Sequence, residues 1–186
     1  MSRFLASEMP LAGVMCVARQ RLGDARGFFS RLFCADDLAT VGWTWPVAQI
    51  NYSYTAQAGT VRGMHFQHPP HAEAKFVSCL RGRVWDVAVD LRAGSPTFLQ
   101  WCAQEISAEN GAALLIPPGC AHGFQALSDD IELLYVHSEP YTPASDAGLN
   151  PHDPGLGILW PLPVSVISDK DAGRPMLTSD FEGLRP

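Results

Sequence analysis

Short apolar runs, broken at intervals by turn residues, set the pattern of the chain. Val, Ile, Leu, Phe and Trp gather in segments 14–18, 48–54, 75–80, 84–91, 98–106, 112–116 and 131–137, with Gly, Pro, Asn, Asp and Ser between them. Runs of this length and spacing predict the strands of an all-β sandwich or barrel. In Val84-Trp85-Asp86-Val87-Ala88-Val89-Asp90 the polar positions alternate in part. Such a strand turns one face to a core and the other to a cavity or solvent. Sustained helical periodicity is absent. Only segments 36–40 and 169–172 read as short helical turns, each with a Ser or Asp at hand as a cap. After His137 the chain enters a Pro-rich excursion from Pro140 to Pro163, too long for a hairpin loop. A segment of that kind packs over something or carries function.

Composition narrows the classes. With 186 residues, 47% hydrophobic and 17% charged, the chain fits one globular domain, 1–186. Its core is expected at about 14–138, and 139–186 is expected to be a loop-rich segment that supplies site residues. Thirteen Lys and Arg against nineteen Asp and Glu give a net charge of -6. No basic run tracks a phosphate backbone, so nucleic acid is not expected as a partner. No apolar stretch approaches the roughly 20 residues of a bilayer span, so no membrane association is expected. Glu8 and Pro10 interrupt the N-terminal apolar residues, and no secretory h-region forms. Five cysteines stand singly, without C-x-x-C spacing. They predict reduced thiols in a cytoplasmic protein, not a disulfide framework or structural zinc. Cys79 and Cys102, in apolar runs, read as small buried hydrophobes.

Several polar residues sit inside or beside apolar runs. His65 lies in Arg62-Gly63-Met64-His65-Phe66-Gln67, where Gly63 lets the backbone pass close to another group. A lone His in a strand is ordinarily a hydrogen-bonded core residue. Lys75 opens the next apolar run; the ordinary alternative is a strand-end Lys reaching solvent. His122 follows Pro117-Pro118-Gly119 in a turn-then-strand passage. Tyr135 by itself would be a core tyrosine, and Asp171 a solvated cap.

Two spacings suggest a cupin jelly roll. Gly111, Pro117-Pro118-Gly119 and His122 match the second cupin motif, with Ala126 where that motif often has Asn. Gly59 and His65 match the start of the first, but Phe66-Gln67-His68 follows instead of a completed His-x-His. Gln67 then falls on the second metal-ligand position, a residue that iron and manganese sites of this kind do not normally use. His68, His71 and Glu73 are conceivable substitutes. No metal and no cofactor are expected.

Taken together the segments resemble the dTDP-4-dehydrorhamnose 3,5-epimerase family, a metal-free branch of the cupins. The resemblance runs over most of the chain, through Asp24-Ala25-Arg26-Gly27-Phe28-Phe29, Gln49-Ile50-Asn51-Tyr52-Ser53, Arg62-Gly63-Met64-His65-Phe66-Gln67, Asp86-Val87-Ala88-Val89-Asp90-Leu91-Arg92, Ala121-His122-Gly123-Phe124, Ile158-Leu159-Trp160-Pro161 and Ser168-Asp169-Lys170-Asp171. It implies a cupin-type jelly-roll β-barrel that forms a homodimer. It also implies cofactor-independent epimerisation of a nucleotide-linked 4-keto-6-deoxyhexose.

That chemistry needs a base, a stabiliser for the enolate oxygen and an acid on the opposite face. By resemblance His65 is the base, Asp171 its partner, Lys75 the oxyanion stabiliser and Tyr135 the acid. Arg26, Phe29, Gln49, Asn51, Arg62 and Tyr141 are implied to hold the nucleotide diphosphate, through charge-assisted bonds and stacking. His122 is implied at the cavity wall, and Trp160 among the substrate-binding residues. Three residues depart from the family pattern: Arg31 replaces an acidic residue, Val136 a Lys and Met64 a Leu. Arg31 is expected to influence nucleotide preference unless it pairs with Asp36 or Asp37. A metal-dependent cupin oxygenase or isomerase, and a non-catalytic sugar-nucleotide-binding cupin, remain the competing classes.

Overall fold

The computed structural model describes residues 3–186; Met1 and Ser2, the first residues of the expected domain, lie outside the described residues. In chain order the elements are β1 (Phe4–Glu8), β2 (Met15–Arg19), β3 (Arg21–Asp24), β4 (Gly27–Ser30), α1 (Ala35–Ala39), β5 (Gln49–Thr55), β6 (Val61–Gln67), β7 (Lys75–Arg81), β8 (Arg83–Asp90), β9 (Trp101–Ser107), β10 (Ala112–Ile116), β11 (Cys120–Ala126), β12 (Ile131–His137), β13 (Asp146–Gly148) and α2 (Asp169–Ala172). Two sheets face each other, ordered β1-β2-β10-β7-β12-β5 and β13-β6-β11-β8-β9. From β5 onward the chain crosses repeatedly between them, and every pairing within them is antiparallel. This is the all-β jelly roll that the spacing of apolar runs and the cupin motifs predict.

Three apolar clusters follow from strand alternation. Between the sheets lie Val77, Cys79, Val84, Ala88, Leu114, Ile116, Phe124, Ile131 and Leu133, all inward-facing. The opposite faces of β2, β7 and β10 carry Val17, Phe76, Ala113 and Leu115 to a second cluster, covered by Leu38 of α1 and by Trp43. The third lies outside the other sheet, where Met64, Phe66, Val87 and Val89 are covered by Leu149, Leu156, Ile158, Trp160 and Leu184. The Pro-rich excursion therefore packs over something, as its length predicts.

Differences from the expected elements have local causes. The expected strand 98–106 starts only at Trp101, because residues 98–100 turn on themselves with Phe98 N–H on Ser95 O and Gln100 N–H on Thr97 O. Cys34 stands at the N-cap of α1 without a side-chain capping bond, whereas Ser168 Oγ caps α2 by accepting from Asp171 N–H. Hairpin β3–β4 stands apart as a two-stranded sheet that contributes nothing to the three clusters. Gly63 is required where it stands. Its φ is +143°, and a Cβ there would lie 2.6 Å from Gly123 Cα. At this close approach β6 and β11 lose register between His122 and Phe124.

Candidate active site

The interior of the sandwich changes character along its length. On β12 the inward positions run Ile131, Leu133, Tyr135, His137, and on β7 they run Cys79, Val77, Lys75. Apolar side chains fill one end, and polar ones line a cavity of about 430 Å³ at the other. The register fixes who meets whom. His137 lies opposite both Lys75 and Gln49, Tyr135 opposite Asn51, and His65 of β6 opposite His122 of β11.

His65 and Asp171 form a hydrogen-bonded pair, Nε2 to Oδ1 at 2.7 Å, although 106 residues separate them in sequence. Helix α2 delivers the carboxylate to the end of β6, where Gly63 N–H also donates to Oδ2 at 3.3 Å. Burial works to raise the Asp171 carboxyl, but the hydrogen bond and charge of His65 and the Gly63 N–H outweigh it. The group sits below the usual carboxylate range and is ionised at neutral pH. An ionised carboxylate can only accept, so in the neutral imidazole Nε2 is the donor and Nδ1 holds the lone pair. The His65 side chain is 40% exposed, open to the cavity, while Asp171 is buried behind it.

Lys75 and Glu73 form a second pair at 2.7 Å, each only 6% exposed. Lys75 Nζ also donates to the His65 carbonyl at 3.1 Å, which ties it to the strand that carries the histidine. A third pair is fully enclosed, His122 Nε2 with Asp86 Oδ1 at 2.7 Å, beneath the Tyr135 ring. Tyr135 OH shares a hydrogen bond of 3.2 Å with Ser53 Oγ. Burial raises its phenol far above the ordinary tyrosine range, against the pull of that bond, so the hydroxyl keeps its proton. His137 stacks on Tyr135, with ring centroids 6.1 Å apart. Burial first and the Lys75 charge second lower His137 to about 4, leaving it neutral near pH 7. Its Nε2 meets Asn51 Nδ2 at 3.4 Å.

The family model for dTDP-4-dehydrorhamnose 3,5-epimerase matches residues 8–179. The chain belongs to that family. A dTDP-4-dehydrorhamnose 3,5-epimerase of Sinorhizobium fredii is 44% identical over 174 residues, covering 91% of this chain and 87% of that protein. A dTDP-4-dehydrorhamnose 3-epimerase of Streptomyces niveus is 38% identical over 178 residues, covering 95% and 86%. Among solved structures, the dTDP-6-deoxy-D-glucose-3,5-epimerase of Legionella pneumophila, in complex with dTDP-4-keto-L-rhamnose, aligns with a TM-score of 0.90 at 35% identity. That alignment covers 98% of this chain and 99% of that one.

Within this epimerase-family fold, the cavity gathers His65, Lys75, Tyr135, His122, Arg62, Gln49, Asn51 and Tyr141 from the residues expected at the site. Arg62 is held by Thr55 Oγ1 and the Tyr54 carbonyl, and Gln49 by the Tyr141 N–H. Arg26 and Phe29 are not among the lining residues. They belong to the separate β3–β4 hairpin, where Arg26 pairs with Asp24 and Phe29 is 65% exposed. Trp160 is also displaced from its expected role. Its Nε1–H donates to the Pro151 carbonyl at 3.0 Å and its ring packs on the outer apolar cluster, so it fastens the Pro-rich excursion. Arg31 lies off the cavity and pairs with Asp37 at 2.8 Å.

Gln67, at the second metal-ligand position of the motif, spends its amide on chain connections. Its Nε2 donates to the carbonyls of His71 and Pro140, and Oε1 accepts from Thr142 N–H. Sequence reasoning missed Ser53, Asp86 and His137, and gave Glu73 only a place among substitute metal ligands. Strand alternation carries the missing signal. Ser53 follows Asn51 by two residues and His137 follows Tyr135 by two, so each shares its neighbour's side, while Glu73 lies in the loop just before the strand that Lys75 opens.

Proposed function

We propose that the chain is a cofactor-independent isomerase. It epimerises a nucleotide-diphosphate-linked 4-keto-6-deoxyhexose, dTDP-4-dehydro-6-deoxy-D-glucose first among them, at C3, C5 or both. One observation carries this reading: His65 on one sheet, hydrogen-bonded from behind by Asp171 of α2, and a protonated Tyr135 on the facing sheet open into the same cavity. Base and acid on opposite walls address opposite faces of a flat enolate, which inversion requires.

In this reading His65 Nδ1 takes the proton from the carbon beside the ketone, and Asp171 stabilises the imidazolium that results. The electron pair of the broken C–H bond moves onto the ketone oxygen. There the Lys75 ammonium opposes the developing charge. Tyr135 returns a proton to the other face of the same carbon. Proton exchange with solvent then restores phenol and imidazole. Arg62, Gln49, Asn51 and Tyr141 hold the nucleotide diphosphate, with Arg62 supplying the charge-assisted contact to phosphate.

A homodimer completes the reading. Phe28 and Phe29 on the β3–β4 hairpin are 61% and 65% exposed, and Ile50, Tyr52 and Tyr54 present an exposed apolar row on β5. A second copy covering these surfaces accounts for them, and it offers Arg26 and Phe29 a route to a neighbouring cavity. Five unpaired thiols suit a reducing cytoplasm. No helix among the described residues is long and apolar enough to cross a membrane.

Incubation with dTDP-4-dehydro-6-deoxy-D-glucose in deuterated buffer, with and without chelator, tests the proposal. Deuterium is expected at one or both of the carbons beside the ketone in both conditions. His65→Ala should lose at least about 10²-fold in exchange while keeping nucleotide affinity. Absence of exchange in the wild type, or its disappearance with chelator and return with iron or manganese, overturns the reading.

A further inference from the structure

The Glu73–Lys75 pair is an expensive feature of the cavity wall. Both side chains are 6% exposed, and burying a carboxylate and an ammonium costs desolvation that their attraction repays only with good geometry and full hydrogen bonding. The bonding here is incomplete. Glu73 Oε1 meets Lys75 Nζ at 2.7 Å, but Oε2 is buried without a hydrogen-bond partner among the described residues. A fold that needed only to fill this corner would be served by an apolar side chain, so the half-satisfied carboxylate points to the site and not to the core.

Its geometry shows what it does there. Glu73 lies in the loop before β7, two residues from Lys75, and both line the cavity. Lys75 Nζ is held on one side by Glu73 and on another by the His65 carbonyl at 3.1 Å. An ammonium has three N–H donors, so two fixed acceptors leave the third with a defined direction. A flexible four-carbon side chain is thereby fixed before substrate arrives, which is how a charge stabilises a transition state without reorganising during the reaction. The carboxylate also offsets the positive charge in the resting cavity, where the substrate ketone is still neutral.

We infer that Glu73 is a positioning residue that acts through Lys75, holding the ammonium where the enolate oxygen develops. This inference rests on the proposed epimerisation and deepens it. The effect is expected in turnover and not in nucleotide binding, because no hydrogen bond or ion pair joins Glu73 to Arg62, Gln49, Asn51 or Tyr141.

The test is a double-mutant cycle of Glu73→Gln, Lys75→Met and both together. Each protein is assayed for kcat and KM by deuterium incorporation into dTDP-4-dehydro-6-deoxy-D-glucose, and for dTDP affinity by calorimetry. Glu73→Gln should lower kcat at least about tenfold with KM and dTDP affinity within about twofold of wild type. With Lys75 already replaced, Glu73→Gln should change kcat by less than about threefold, since its means of action is gone. Should Glu73→Gln alone fail to fold around an uncompensated Lys75, Glu73→Asp, which keeps the charge but withdraws it by one methylene, should still lower kcat at least about threefold with dTDP affinity unchanged, and a wild-type kcat in that variant overturns the inference. A Glu73→Gln enzyme with wild-type kcat, or a further loss of tenfold or more in the double variant, overturns the inference. A wild type that exchanges no deuterium overturns the epimerase reading instead, so the two failures are distinct.

Discussion

Asp171→Asn is the most direct probe of the base. The substitution keeps the size of the side chain and its ability to accept from Gly63 N–H, but removes the charge that faces His65 Nε2 at 2.7 Å. The size of the loss follows from that charge. Two unit charges roughly 4 Å apart at an effective dielectric near 20 attract by about 4 kcal/mol. The His65 side chain is 40% exposed, and solvent screening brings the figure to about 2 kcal/mol. If the whole amount is lost when imidazolium forms, kcat falls about 30-fold, at about 1.4 kcal/mol per factor of ten. A further loss is expected because an amide NH₂ can donate to Nε2 and so favour the wrong tautomer. Asp171 does not line the cavity, so dTDP affinity should stay within about twofold of wild type. The assay is single-turnover deuterium incorporation at saturating substrate, paired with dTDP calorimetry. A kcat within threefold of wild type, or an affinity that falls in step with kcat, refutes the account of the pair.

Three further outcomes follow from particular contacts. The His137 pKa is lowered in the fold to about 4, against an unfolded value near 6.5, so its contribution to stability is present above about pH 6.5 and lost as pH falls toward 4. Urea denaturation should show about 2 kcal/mol lost between about pH 7 and pH 5, reduced in His137→Gln; an unchanged slope between the two proteins contradicts it. Trp160→Phe should lower stability by about 1 kcal/mol through loss of the bond to Pro151, with dTDP affinity unchanged; weakened dTDP binding would return Trp160 to the site. Arg31→Glu should leave the ranking of dTDP, UDP, CDP and GDP unchanged, because Arg31 is engaged with Asp37 off the cavity; an altered ranking in calorimetry would restore a recognition role.

The parts of the fold that were legible and those that were not divide by what faces inward. Strands β7, β8, β9, β10 and β12 were visible as apolar runs because they send side chains into the core between the sheets, whereas β2 shows through Val17 of the second cluster and β5 through Ile50, Tyr52 and Tyr54, which are exposed. Strands β6 and β11 had no such pattern to show: β6 carries Arg62, His65 and Gln67 toward the cavity, and β11 carries His122. On these two strands the polar residues of the site hide the strand from a hydrophobicity pattern. Family resemblance already paired Asp171 with His65, and the return of α2 across the end of β6 is what joins them physically over 106 positions. Asp86 was quoted as part of an alternating strand, yet its partner is fixed by the pairing of β8 with β11, which no local signal encodes. Arg26 and Phe29 show the opposite limit. Their motif is clear in the sequence, but the hairpin that bears them is exposed and apart from the cavity, so the folded chain does not bring to that cavity every residue the resemblance assigns to the site.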